Sequence, residues 1–139
     1  MNIDSIKNGI VIDHIKAGFG MKIYQLLELD KADCSIAIIK NVNSRKLGKK
    51  DIIKIDSDIP VNLDVIGYID PGATVNIIEN GKLVCKKCIE MPLKLVNVIK
   101  CKNPRCITTI EQELDQVFIL TDKEKRVYRC KYCESKSND

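Results

Sequence analysis

The chain has no apolar run approaching the 18 or so residues that a membrane-spanning helix needs. Its start, MNIDSIKNG, is polar and carries no apolar stretch of signal-peptide kind. A cytoplasmic protein with reduced thiols is therefore expected. Neither a Walker A loop nor a G-x-G-x-x-G element is present, which excludes P-loop and Rossmann modes of phosphate binding. Histidine occurs once, at His14, and no serine or cysteine is placed to form a triad with it, which argues against hydrolase chemistry. Internal repeats and low-complexity tracts are missing as well.

What is present in excess is cysteine, seven in 139 residues. Four of them, Cys101, Cys106, Cys130 and Cys133, read C-x4-C, a gap of 23 residues, then C-x2-C. In a reducing compartment such spacing favours a metal over disulfides. Two close pairs of thiolates brought together by a loop can close a tetrahedron around zinc, with iron as the alternative for a four-sulfur site. Four thiolates leave no open position, so the ion would be structural. Cys85 and Cys88 form a third C-x2-C pair, which by spacing alone can combine with either knuckle. Their plainer reading is as strand residues, one buried and one exposed. Cys34 sits in an apolar segment and reads as core.

The metal-bearing stretch is too short for a self-sufficient apolar core. Two domains follow, 1–92 and 93–139, joined near Met91–Leu95. Apolar residues at 45% are ordinary for a globular chain, and a net charge of +4 suits an anionic small ligand or an acidic partner.

In the first domain, strands are expected over Gly9–Ile15, Cys34–Ile39, Asp51–Asp56, Ala73–Glu79 and Lys82–Cys85. The second is continuously apolar and so reads as central in the sheet. Helical spacing over Met21–Leu29, and again at Leu63, Ile66 and Ile69, supplies two helices. Ser57 or Asp58 is a candidate cap for the second. Residues 41–50 are polar and rich in turn formers, and Asn80-Gly81 signals a type I′ hairpin. The order is a split βαβ: an α+β, ferredoxin-like domain with an antiparallel sheet and two helices. The second domain reads as a small all-β, zinc-ribbon-like module with strands over Val96–Ile99, Gln116–Leu120 and Arg126–Arg129, ending in a frayed tail, SKSND.

Several segments in this order carry a resemblance: VIDH at Val11–His14, GKKDIIKI at Gly48–Ile55, ATVN at Ala73–Asn76, CKNPRC at Cys101–Cys106 and CKYCE at Cys130–Glu134. With these the chain resembles the regulatory chain of aspartate carbamoyltransferase over nearly its whole length. The resemblance implies a non-catalytic regulatory subunit in pyrimidine biosynthesis. It implies one structural zinc per chain on Cys101, Cys106, Cys130 and Cys133, with Cys85 and Cys88 outside the ligand set. It further implies a site for nucleoside triphosphate effectors (ATP, CTP and UTP) drawing on Ile6, Asp13, His14, Lys50, Lys54 and Lys86. There Asp13 would accept from ribose hydroxyls, His14 would donate to phosphate, and the lysines would serve as point charges. Asn103 and Arg105 would contact the catalytic chain, and the regulatory chain would form a homodimer within a larger assembly.

A rival reading is a zinc-ribbon protein that binds nucleic acid. Lys100, Lys102, Arg105, Lys125, Arg126, Arg129 and Lys131 crowd the metal module and suit phosphate contacts. Glu111, Glu113, Asp115, Asp122 and Glu124 dilute that patch, and only Tyr128 and Tyr132 offer stacking nearby. Nucleic acid is therefore the weaker expectation.

Overall fold

Alternation of isoleucine with polar residues builds the first part of the molecule. The computed structural model describes residues 6–137. The chain divides into two units, Met1–Met91 and Pro92–Asp139. The first contains β1 (Gly9–Lys16), α1 (Gly20–Leu26), β2 (Ile36–Ser44), β3 (Gly48–Ile55), α2 (Leu63–Ile69), β4 (Thr74–Glu79) and β5 (Lys82–Cys88). The strands lie in the order β2-β3-β1-β4-β5 and every neighbouring pair is antiparallel. Each helix connects two strands with a third inserted between them, which is the ferredoxin-like split βαβ. Ile10, Ile12, Ile53, Ile55 and Val75 point to the helix side, where they pack with Ile23 of α1 and Ile66 of α2. Val11, Asp13, Lys54, Thr74 and Asn76 alternate with them and are half-buried on the other face.

Differences from the sequence-based expectation have local causes. β2 is an edge strand, not a central one, because β3 returns between it and β1. Its apolar residues, Ile36 to Ile39, are half-buried. Cys34 precedes β2 and packs half-buried against the core. Residues 41–50 are not a loop but mostly the arms of a long hairpin, with Val42 opposite Lys50 and Ser44 opposite Gly48. A bulge at Asn41 (φ 58°) lets the two arms continue.

Asp51 holds that bulge. Its side chain is fully buried and accepts from the backbone N–H of Asn41, Gly18 and Gly20 at 3.1, 3.0 and 3.0 Å. A Cβ on Gly20 would come within 2.9 Å of the carboxylate, so the close approach requires glycine there. Helix α1 ends at Leu26. Glu28 turns left-handed (φ 55°) into a 3₁₀ turn, Leu29–Lys31, which still delivers Leu29 to the core. Helix α2 is capped by Asn62, whose side chain accepts from Asp64 N, rather than by Ser57 or Asp58. The β4–β5 turn has both Asn80 (φ 53°) and Gly81 (φ 76°) at positive φ, as a type I′ turn requires.

The second unit holds β6 (Lys94–Val96), α3 (Ile107–Ile110), β7 (Val117–Asp122) and β8 (Val127–Cys130), with strand order β6-β7-β8. Leu95, Phe118 and Tyr128 are almost fully buried, and the Tyr128 hydroxyl donates to Pro92 O at 2.6 Å. β6 ends before the expected Val96–Ile99 strand begins in earnest. Asn97 is left-handed (φ 57°), donating from its amide to Asp115 Oδ1 at 3.0 Å and accepting from Gln116 N at 2.9 Å. α3 was not foreseen. Much of the tail is tied down rather than frayed: Cys130 N donates to Ser135 O at 2.9 Å, and Lys136 bridges to Arg129. Asn138 and Asp139 lie outside the described residues. Among the described residues no helix is long and apolar enough to cross a membrane.

Candidate metal centre and a cation-lined sheet face

The loop that follows β6 carries Cys101 and Cys106, and the end of β8 with the turn beyond it carries Cys130 and Cys133. Gln116 fixes the first knuckle: its side chain accepts from Cys101 N at 3.0 Å and donates to Thr108 O at 3.3 Å. The four sulfurs all lie within 4.8 Å of one another, with Cys101–Cys133 at 3.5 Å and Cys106–Cys130 at 3.7 Å. A tetrahedron with Zn–S bonds of about 2.3 Å has edges of about 3.8 Å, so the cluster matches a four-thiolate zinc site. All four are free thiols, at separations far from a disulfide bond.

The thiols differ in how readily they ionise without metal. Burial, with the neighbouring sulfurs, pushes Cys101 up to about 12. For Cys133 burial acts upward too, but donors from Ser135 and Asn103 outweigh it and bring the thiol down to about 6. Cys106 is likewise lowered: burial is outweighed by hydrogen bonds from Thr108. Metal binding requires all four as thiolates and displaces the protons they still carry, so affinity must fall as pH falls.

Cys85 and Cys88 take no part in this cluster. Both are exposed on β5, which corrects the expectation that one would be buried. Every residue of this edge strand is exposed, so neither face of it is covered.

On the first unit, the register places several of the singled-out residues side by side. Lys54 lies opposite Val11, Val11 opposite Asn76, and Asn76 opposite Lys86. At about 4.8 Å per strand, Lys54 and Lys86 stand roughly 14 Å apart at Cα, on the face away from the helices. Two lysine side chains can converge across that span on a ligand of nucleotide size.

The adjacent row is Asp13, Thr74 and Cys88. Lys50 Nζ lies 3.0 Å from Asp13 Oδ1 in a mostly buried ion pair. Burial pushes the Asp13 carboxyl up, but the hydrogen bonds from Lys50 and from His14 N, with the nearby charges, hold it below the ordinary carboxylate value. His14 occupies a bulge in β1 at φ 57°, its Nδ1 3.1 Å from Thr74 Oγ1. Ile6 is half-buried just ahead of β1. Thr74 and Asn76 went unnoticed in the sequence as members of this face. The available signal was their alternation with buried Ala73 and Val75.

Asn103 is half-buried and Arg105 exposed on the first knuckle. Asn103 accepts from Arg105 N at 3.0 Å, and its amide reaches Ser135 Oγ at 3.4 Å.

Comparison with known proteins assigns both units. Residues 1–90 match the family model described as aspartate carbamoyltransferase regulatory chain, allosteric domain. Residues 94–139 match the metal binding domain of the same regulatory chain. The chain belongs to the family of aspartate carbamoyltransferase regulatory chains. The regulatory chain of Clostridium tetani is 55% identical over 135 residues, covering 96% of this chain and 94% of that protein. That of Clostridium botulinum is 53% identical over 134 residues, covering 96% and 92%. That of Bifidobacterium longum is 44% identical over 137 residues, covering 99% of both. The chain is thus a non-catalytic regulatory subunit of pyrimidine biosynthesis, with an allosteric domain and a metal-binding domain whose four cysteines are suited to one structural zinc ion.

Proposed function

We propose that residues 1–92 bind nucleoside triphosphate effectors (ATP, CTP and UTP) on the sheet face that carries Asp13, His14, Lys50, Lys54 and Lys86, with Ile6 contributing from the segment ahead of β1, and that residues 93–139 dock on the catalytic chain through the Asn103–Arg105 loop. The observation that carries the reading is the row Lys54–Val11–Asn76–Lys86, which spans four strands beside the Asp13–Thr74 row. Ammonium groups at its ends suit an extended, highly charged phosphate chain. Lys50 is already paired with Asp13, so its part is to hold that carboxylate, the acceptor suited to ribose hydroxyls, in place.

Docking through the knuckle fits its stiffness. Ligands at Cys101 and Cys106 bracket the loop, and a rigid loop loses little entropy on association. The half-buried apolar edge of β2 suits pairing with a second copy of the chain within a larger assembly. Reduced cysteines fit a cytoplasmic location. Effectors then act by binding two quaternary states unequally, with a coupling of ordinary size, about 1–3 kcal/mol.

Calorimetry on Lys54→Ala and Lys86→Ala tests the reading. Each should weaken triphosphate binding by roughly ten- to hundredfold, the worth of a charge-assisted hydrogen bond, and weaken monophosphate binding less. Equal losses for the two ligands would remove these lysines from the distal phosphates.

A further inference from the structure

The second cysteine of each knuckle is followed two residues later by a hydroxyl side chain: Cys106-Ile107-Thr108 and Cys133-Glu134-Ser135. Both hydroxyls turn back onto sulfur. Thr108 Oγ1 lies 3.0 Å from Cys106 Sγ, a contact in which either atom can donate, and Ser135 Oγ lies 3.3 Å from Cys133 Sγ, where without metal the thiol donates to the serine oxygen. Among the described residues no hydroxyl bonds to the sulfurs of Cys101 or Cys130, so the pattern is confined to the trailing cysteine of each pair.

We propose that Thr108 and Ser135 are positioning donors of the zinc centre, each giving its O–H to one metal-bound thiolate and so making two of the four ligands less nucleophilic and the metal harder to remove. The inference rests on the four cysteines holding zinc. A metal-bound thiolate has no proton, so in the loaded site only the hydroxyl can donate across these contacts. A bare centre of one zinc and four thiolates carries excess negative charge, and hydrogen bonds from outside the ligand shell offset it.

The surroundings of each hydroxyl favour the same direction. Thr108 is 2% exposed, and a buried hydroxyl without a partner would be costly. Water cannot easily take its place. The Ser135 oxygen faces the Asn103 amide at 3.4 Å, which can only donate to it, leaving the serine proton for sulfur. Asn103 belongs to the first knuckle and Ser135 to the second, so this chain of donors also ties the two knuckles together.

The test uses the full-length protein loaded with cobalt(II) or zinc. Hydrogen bonding lowers the energy of the sulfur donor orbital, so its removal should shift the sulfur-to-cobalt charge-transfer band to lower energy. Thr108→Val, which keeps the shape and removes the donor, should show that shift and a roughly 10–100-fold loss of zinc affinity in competition with a chromophoric chelator. Thr108→Ser should restore both. Ser135→Ala should shift the band in the same direction. A folded Thr108→Val protein with the parent band and affinity would overturn the proposal, and so would a Thr108→Ser protein as impaired as the valine variant, which would assign the residue to packing. Should Thr108→Val fail to fold, the half-buried Ser135 decides: a shifted band in Ser135→Ala supports the inference, and an unshifted one refutes it.

Discussion

The two units of this chain solve the same problem by different means. The first is stabilised by apolar volume: Ile12, Ile15, Ile23, Ile53, Ile55 and Ile66 are all fully buried around one sheet and two helices. In the second, only Leu95, Phe118 and Tyr128 among the described apolar side chains other than cysteine are buried to that degree, beside four cysteines of which three are buried. A sheet of three short strands cannot bury enough surface to offset its chain entropy. Zinc makes up the difference. The comparison teaches that neither unit should depend on the other's source of stability.

The sharpest way to break that comparison is to take away the metal. Zinc in small four-ligand modules is worth roughly 10–16 kcal/mol of apparent binding free energy, most of it folding energy. Cys130→Ser, or a strong chelator, should therefore unfold residues 92–139 and leave the first unit folded. Amide hydrogen exchange resolved by segment would show it. Retained protection in β7 and β8 with no bound zinc would mean that the small apolar cluster suffices after all.

The converse experiment is smaller in effect. Ile53 is fully buried in β3 between Ile12 and Ile38. Ile53→Ala should cost the first unit about 2–5 kcal/mol, seen as a lower urea midpoint, while zinc content stays at one per chain. Loss of zinc in that variant would show that the units are stabilised jointly.

The same contrast explains what could be read from the sequence. The knuckles of the four-cysteine site were legible because ligand chemistry is local: spacing within each is a property of a few consecutive residues, whereas spacing alone left Cys85 and Cys88 as an alternative pair that only the family resemblance set aside. The sheet with its two helices was legible from periodicity. The edge position of β2 was not, because Ile36–Ile39 reads as apolar whether a strand is covered on one flank or two. The hairpin through residues 41–50 was hidden as well. Its continuation depends on Asp51 accepting from Asn41 N across the bulge, a contact that composition does not announce. Alternation with Ala73 and Val75 puts Thr74 and Asn76 on one face of β4, but their place beside the cations comes from register with β1, which is a tertiary fact. The hydroxyls of Thr108 and Ser135 repeat at the same offset from a cysteine, yet nothing in that offset says that they turn back to sulfur.

Acid should separate the two units once more, at the smallest scale. In the second unit, protons compete with zinc for thiolates, and Cys101, pushed up to about 12 by burial and neighbouring sulfurs, gives up its proton least readily. In the first, the relevant group is Asp13, whose carboxyl is held below its ordinary value of 3.8 despite burial, by Lys50 and His14 N. A depressed folded-state value means that the pair's stabilisation is fully present above the ordinary value. It is lost as pH falls through the lower, folded one. For a partly exposed pair that contribution is about 1 kcal/mol or less. On lowering pH, NMR signals of the second unit should therefore disappear first, as zinc leaves, while those of the first persist until the Asp13–Lys50 pair titrates. Lys50→Met removes the partner and should flatten the first unit's stability profile below about pH 4 without moving the pH at which zinc is released. An unchanged acid limb in that variant would show that the pair does not set the first unit's acid sensitivity, and simultaneous loss of both sets of signals would show that the units do not fail independently.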